Sequence, residues 1–332
     1  MTGYHVLEGE ELSRLRDPKR DFALDVLSGL SEHNKKLDSR YFYDDEGSRL
    51  FQAIMGCKDY YPTDSEREIL QNHGRSIAAT CSGAPLNVID LGAGDGAKTK
   101  ILLQALVDLG VDVRYVPIDI SEGAIAGLVE TMKRDMPDLE VQGLVCEYTD
   151  GLNWLSSLGD NRKNLLLFLG SNIGNFNKAR ARAFLRRQWT SLRDGDYALI
   201  GFDLKKDIEV LLRAYNDSDG YTAAFNQNLL RRINDELGGT FDTSKFRHYG
   251  TYDVFSGAMT SYLVSLEEQV VEIAALGRSF EFEAWEPVHT EYSYKYLERD
   301  IEDLAADTGY IIEAKYRDSK HYFVDALWRV AK

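Results

Sequence analysis

A chain of 332 residues with 44% hydrophobic and 28% charged residues is long enough for one large core or two smaller ones. No uninterrupted apolar run approaches the roughly 18–20 residues of a membrane-spanning helix. The formal charge of −15 argues against nucleic acid as the main partner, because phosphate backbones need clustered Lys and Arg.

The start, MTGYHVLEGEELSRLRDPKR, lacks the apolar h-region of a secretory signal, so a cytoplasmic protein is expected. To about residue 65 the chain reads as helices and turns, with the aromatic-rich segments RYFYDDEGSRLFQAI and KDYYPTDSEREIL. Pro62, Thr63 and Asp64 look like a helix start, a polar cap before an acidic first turn. From about 66 to 205, apolar runs alternate with helical periodicity. LNVIDLG, DVRYVPIDI, LEVQGLVCEY, NLLLFLGSNIGNF and DYALIGFDL are strand-like; KTKILLQALVDLG, SEGAIAGLVETMKRDM (with Ser121 as N-cap) and ARAFLRRQWTSLRDG are helical. Strands separated by helices of this length imply right-handed crossovers and a parallel sheet covered on both faces.

After about 206 the rhythm changes. KKDIEVLLRAYND and YTAAFNQNLLRRINDELGG read as two helices, the second stopped by Gly238 and Gly239. The stretch 244–285 alternates in strand fashion without a βα rhythm and is expected to be an antiparallel insertion. YKYLERDIEDLAADTGY is a helix, followed by two strand-like runs around a polar turn. Cys57, Cys81 and Cys146 form no CxxC pair, and the six histidines have no HxxxH spacing, so neither a disulfide framework nor a metal site is expected.

The first strand of the alternating stretch runs into Asp90-Leu91-Gly92-Ala93-Gly94-Asp95-Gly96, before a helix. Glycines there let a ligand approach the backbone at the carboxyl edge of a parallel sheet. The P-loop pattern GxxxxGK[ST] is absent, and the spacing is GxGxG instead of the dinucleotide GxGxxG. Carboxylates at Asp90 and Asp95 would repel a pyrophosphate, whereas S-adenosylmethionine carries a sulfonium and an ammonium that they suit. The second strand ends at Asp119, where a carboxylate can accept both ribose hydroxyls; the third ends at Glu147-Tyr148, placed to read an adenine edge. An antiparallel last strand is common in class I methyltransferases and foreign to the six-stranded dinucleotide fold. The expected fold is therefore α/β, a Rossmann-like parallel sheet of the class I methyltransferase kind with a C-terminal antiparallel hairpin and an inserted α+β region.

The segments YFYDDEGSRLFQAI, YYPTDSEREIL, DLGAGDGAKT, FLGSNIGNF, LLRAYNDSDGYTAAFNQNLL and TEYSYKY, spread from about residue 41 to 296, together resemble one family: the ergothioneine-pathway L-histidine Nα-methyltransferases. The resemblance implies an S-adenosylmethionine-binding domain of 66–205 and 296–332, and an amino-acid-binding domain of 1–65 and 206–295. It implies trimethylation of the small molecule L-histidine to hercynine, by an enzyme expected to be monomeric. Carried over by position, Gly92, Lys98, Asp119, Glu147 and Tyr148 would hold the cofactor, and Asn175 and Tyr215 the substrate carboxylate. Tyr43 and Tyr60 would line the amino-group and imidazole side. Glu291 and Ser293, two apart on an extended segment, would point to one face and meet the imidazole. Tyr43 and Asn175 would orient the amine for direct displacement of the sulfonium methyl, with no strong base evident.

On the residues alone, Asn175 also fits a cap before NKARARAFL, Tyr215 a half-buried helix aromatic, and Glu291 an exposed strand carboxylate. The family often has Asp-Phe where this chain has Glu147-Tyr148, and GSG with a hydroxyl residue where it has GAGDG. Ser261 stands where a larger apolar residue is expected beside the imidazole, which leaves room for an indole. The alternatives are therefore an Nα-methyltransferase for tryptophan or another amino acid and, from another class, a non-catalytic S-adenosylmethionine-binding regulator.

Overall fold

The computed structural model describes residues 3–6, 17–157 and 161–332. In chain order its elements are β1 (Gly3–Val6), α1 (Pro18–Leu30), α2 (Asp45–Met55), α3 (Tyr61–Cys81), β2 (Leu86–Leu91), α4 (Ala97–Asp108), β3 (Val113–Asp119), α5 (Glu122–Asp135), β4 (Glu140–Val145), α6 (Tyr148–Ser157), β5 (Lys163–Phe168) and α7 (Lys178–Ser191). They continue with β6 (Tyr197–Asp203), α8 (Ile208–Tyr215), α9 (Tyr221–Leu237), β7 (Phe246–Asp253), β8 (Ala258–Ser265), β9 (Gln269–Ile273), β10 (Arg278–Phe282), β11 (Pro287–Tyr294), α10 (Glu298–Thr308), β12 (Tyr310–Arg317) and β13 (Phe323–Val330). The described chain forms two compact units: residues 3–6, 62–205 and 294–332 make the first, and 17–61 with 206–293 the second.

The first unit is built on an eight-stranded sheet of order β1-β4-β3-β2-β5-β6-β13-β12. Every residue of β2 is buried, as a central strand covered on both faces requires. Its side chains alternate: Leu86 and Val88 join the cluster with α3, α4 and α5, and Ile89 and Leu91 the cluster with α6, α7 and α10. Strands β2 to β6 pair in parallel, whereas β13 lies antiparallel to both β6 and β12, which gives the expected closing hairpin. The chain runs outward from β2 through β3 and β4, then returns to β5 and β6 on the other side. The carboxyl end of β2 is therefore a topological switch point, the place where such sheets bind ligands.

Two local expectations are corrected. The N-terminal stretch is not only helices and turns: β1 pairs in parallel with β4, from Gly3↔Gln142 to Val6↔Val145. Four residues are too few to show a period, and the strand depends on tertiary pairing; Gly143 makes room, since a Cβ there would lie 3.0 Å from the Tyr4 Cβ. Helix α3 begins at Tyr61, so Thr63 and Asp64 sit inside its first turn and do not cap it. Pro62 is tolerated there because its missing N–H has no intrahelical partner to lose.

In the second unit, β7 and β8 are antiparallel within a three-stranded sheet of order β11-β8-β7, and β9 and β10 form a separate antiparallel hairpin. Helix α9 carries an apolar stripe, Phe225, Leu229, Ile233 and Leu237, into a core shared with Phe22, Val26 and Leu30 of α1 and with Leu50 and Ile54 of α2. It stops at Gly238, which takes φ 65° as a left-handed cap. Among the described residues, no helix is long and apolar enough to cross a membrane.

Candidate active site

The loop after β2 takes left-handed backbone at every second residue: φ is 72° at Gly92, 56° at Gly94 and 66° at Gly96. At Gly92 the need is also steric, because a Cβ would lie 2.8 Å from Tyr148 Oη and 3.2 Å from Asn172 Nδ2. Gly94 has open space beside it, so the loop has room for a ligand. Asp95 is exposed and its Oδ1 accepts the Ala97 N–H at 3.0 Å.

Asp90 does not face that ligand space. It is 2% exposed, and its Oδ2 accepts Thr99 Oγ1 at 2.6 Å and Tyr115 Oη at 2.9 Å. Burial outweighs those two donors and pushes its carboxyl up to about 6. Asp90 thus ties the start of α4 to β3 from inside the core, and of the two loop carboxylates only Asp95 stands at the surface.

Asp119 ends β3 next to this loop. Its carboxylate receives the Ser121 N–H at 3.0 Å and interacts with the Gly94 N–H, while burial raises it from the ordinary carboxylate range. Glu147 is exposed at the end of β4, with Tyr148 opening α6. The Tyr148 ring packs edge-on against Phe168 and Phe184, which turns its hydroxyl toward Gly92. These features fit S-adenosylmethionine: an open glycine turn, a strand-end carboxylate for a ribose, and a second strand end beyond it for a base. Lys98, in the first turn of α4, forms an ion pair with the fully buried Glu66.

Asn175 closes a 3-10 turn, Asn172–Asn175, and is half-buried. It does not cap α7; that role belongs to Asn177, whose Oδ1 accepts the Arg180 N–H at 2.9 Å. The turn is tightly held. Gly170 has φ 73°, and Ser171, a non-glycine residue, has φ 57°. Ser171 Oγ accepts the Asp203 N–H at 3.0 Å, and a Cβ on Gly174 would lie 2.8 Å from the Tyr294 carbonyl oxygen. Asp203 also pairs with Lys295 at 2.8 Å, both side chains being buried.

In the second unit, residues far apart in sequence form one chain of contacts. Tyr43 packs edge-on against Phe51 and Phe225 at 5.7 Å, Phe51 against Tyr60 at 6.4 Å, and Tyr60 against Tyr215 at 6.3 Å. Tyr215 Oη then donates to Ser293 Oγ at 2.7 Å. Glu291 lies half-buried two residues earlier on β11, where the alternation of buried Val288 and Thr290 breaks: Tyr292 is exposed and Ser293 buried. Ser261 is 2% exposed on β8, and its carbonyl accepts Thr290 Oγ1 at 3.0 Å.

Several supporting residues carry no sequence signal of their own. Phe51 and Phe225 complete the aromatic chain. His248 and Asn216 clamp the end of α8 to β7: His248 Nε2 lies 3.0 Å from the Tyr215 carbonyl, and Asn216 exchanges bonds with Gly250 at 2.8 and 3.0 Å. Gly250 permits the approach, since a Cβ there would lie 2.8 Å from the same carbonyl. Gly220 takes the cap position of α9 at φ 78°, and the two oxygens of Asp217 accept the Tyr221 N–H at 2.8 Å and the Thr222 N–H at 2.7 Å.

A family model described as histidine-specific methyltransferase, SAM-dependent, matches residues 22–330. Histidine N-alpha-methyltransferase of Mycobacterium tuberculosis is 35% identical over 283 residues, which cover 85% of this chain and 87% of that protein. The protein of the same name from Mycolicibacterium smegmatis is 34% identical over 285 residues, 86% of this chain and 87% of that one. Ergothioneine biosynthesis protein 1 of Schizosaccharomyces pombe is 29% identical over 291 residues, 86% of this chain and 37% of that longer protein.

Proposed function

The chain belongs to the histidine-specific, S-adenosylmethionine-dependent methyltransferase family, and from that membership we propose that it trimethylates the α-amino nitrogen of L-histidine to give hercynine, the first step of ergothioneine biosynthesis. The observation that carries this reading is the linked chain Tyr43–Phe51–Tyr60–Tyr215–Ser293, with Glu291 on the same strand as Ser293. The names of the relatives support both substrate and pathway.

In this reading Gly92, Lys98, Asp119, Glu147 and Tyr148 hold S-adenosylmethionine, which when bound supplies an electrophilic methyl group on its sulfonium. Asp119 accepts the ribose hydroxyls, and Gly92 and its loop let the ligand lie against backbone. Tyr215 and Asn175 hold the substrate carboxylate; neither is an amine that could compete for methyl groups. Glu291 accepts the imidazole N–H and Ser293 adds a second polar contact. Tyr43 and Asn175 orient the amine lone pair, which is where a positioning enzyme gains most of its rate. The amine loses its proton to water, so no strong base is required. Phenols at Tyr43 and Tyr60 leave room as the nitrogen gains methyl groups, where a charge pair would resist. The enzyme is proposed to act as a cytoplasmic monomer on the free amino acid.

Glu291→Ala tests the substrate assignment. Losing a charge-assisted hydrogen bond worth roughly 1.5–3 kcal/mol should raise the KM for histidine about 10- to 100-fold. The KM for S-adenosylmethionine should stay within about twofold, since only a site built around the imidazole N–H is disturbed. An equal rise in both would remove Glu291 from the substrate site.

A further inference from the structure

Within the first unit, a fully buried carboxylate sits directly beneath the turn that follows β5. Glu66, in the second turn of α3, accepts the Gly170 N–H on both oxygens, at 2.8 and 3.0 Å, and pairs with the Lys98 ammonium. The fold makes room for it: a Cβ on Gly201, in the middle of β6, would collide with Glu66 Oε1. Opposite Gly201 in register stands Asp325 of β13, also fully buried. Its charged neighbours are Glu66 and Lys98, and burial together with Glu66 pushes Asp325 well above the usual carboxylate range. One ammonium cannot neutralise two buried carboxylates, so the cluster favours the neutral form of Asp325.

Such a cluster is a poor way to add stability, because well-packed apolar side chains of similar volume do as well or better than a buried ion pair. It does fix positions. Gly170 and Ser171 hold consecutive left-handed backbone, a strained arrangement for Ser171 that persists only when its surroundings over-determine it. Lys98 Nζ lies close to the same turn, 3.6 Å from where a Gly170 Cβ would be. We propose that Glu66 is a positioning residue for cofactor binding, fixing the Lys98 ammonium and the Gly170–Ser171 turn so that Lys98 meets the carboxylate of the cofactor's amino-acid end. The proposal rests on the reading that Lys98 holds the cofactor.

The test is calorimetric binding of S-adenosylhomocysteine and of 5′-methylthioadenosine, which lacks the amino-acid portion, to the full chain and its Glu66→Gln, Lys98→Met and doubly substituted variants. Each single substitution should weaken S-adenosylhomocysteine about tenfold, and the double substitution little further, because residues acting through one contact are not additive. Affinity for 5′-methylthioadenosine should stay within about twofold in all three, which a general loss of structure would not allow. If Lys98→Met weakens S-adenosylhomocysteine but Glu66→Gln does not, or if the two effects add, the positioning role is overturned and the Lys98 reading survives. If Lys98→Met has no effect, the Lys98 reading fails and the proposal fails with it. Equal weakening of both ligands also overturns it. Should Glu66→Gln not fold, Glu66→Asp keeps the charge and shortens only the reach; unchanged S-adenosylhomocysteine affinity in that variant would contradict the proposal.

Discussion

Tyr215 ends α8 with its hydroxyl 2.7 Å from Ser293 Oγ and its backbone carbonyl 3.0 Å from His248 Nε2, so the residue is held by both side chain and main chain. Tyr215→Phe keeps the ring against Tyr60 and removes only the hydroxyl. A lost hydrogen bond of about 1 kcal/mol predicts a roughly fivefold rise in the KM for histidine, with that for S-adenosylmethionine unchanged. Steady-state kinetics checks this, and an unchanged histidine KM would place Tyr215 outside the substrate site. Asp90 shows where reading single residues goes astray. Its acidity suggested a cofactor contact, yet the two-residue period of β2 puts it on the face of Leu86 and Val88, toward α4. The pattern held that information, but the chemistry of the side chain drew attention away from it. Because burial raises the Asp90 carboxyl to about 6 in the folded chain, its stabilising contribution is complete below its unfolded value near 4 and is lost as pH rises through 6. Asp90→Asn should therefore flatten the dependence of unfolding free energy on pH between 4 and 7, by up to about 3 kcal/mol. Denaturant titrations of both proteins would show it; parallel profiles would contradict it.

At the scale of elements, the glycine loop is the most constrained piece. Gly92→Ala places a side chain at φ 72° and a methyl 2.8 Å from Tyr148 Oη. Backbone strain alone costs about 1–2 kcal/mol, and the collision must displace α6 or the loop. S-adenosylhomocysteine should bind at least about tenfold more weakly; undiminished affinity would mean the loop does not approach the cofactor. Most elements here were legible because their periods are long and their caps local. Ser121 accepts the Ala124 N–H at 3.2 Å as the N-cap of α5, and Gly238 stops α9, both as the sequence suggested. The elements that escaped depend on distant partners. β1 exists only by pairing with β4, and the start of α3 is set by Pro62 tolerated inside the first turn. Glu66 and Asp325 escaped for the same reason, since nothing local marks two carboxyl groups 259 positions apart as neighbours.

For the whole molecule, the alternating stretch and its break near residue 206 were plain in the sequence, and the structure has a parallel sheet before that point and antiparallel ladders after it. The aromatic chain was only half legible: Tyr43, Tyr60 and Tyr215 stood out through family resemblance, while Phe51 and Phe225 are ordinary core residues until the fold puts them between the tyrosines. The two units should also respond oppositely to acid. In the second unit, burial lowers both His248 and His289, the latter to about 4. Groups held neutral in this way stabilise fully above their unfolded value near 6.5, and that stability is lost progressively as pH falls from there through the folded value, about 4 at His289. In the first unit, Asp90 and Asp325 are both raised, so acid favours the folded form. Hydrogen exchange at pH 5 and pH 7, each normalised to intrinsic rates, should show protection in β7, β8 and β11 falling relative to β2, β3 and β5. Equal changes in both sheets would contradict this.

The central claim is the reaction itself, and mass spectrometry of the chain incubated with S-adenosylmethionine and a mixture of the twenty amino acids tests it most directly. Histidine alone should gain three methyl groups. Methylation of tryptophan or another amino acid in its place would contradict the assignment of Glu291 and Ser293 to the imidazole, and no methylated product at all would contradict the assignment of the chain as an active amino-acid methyltransferase.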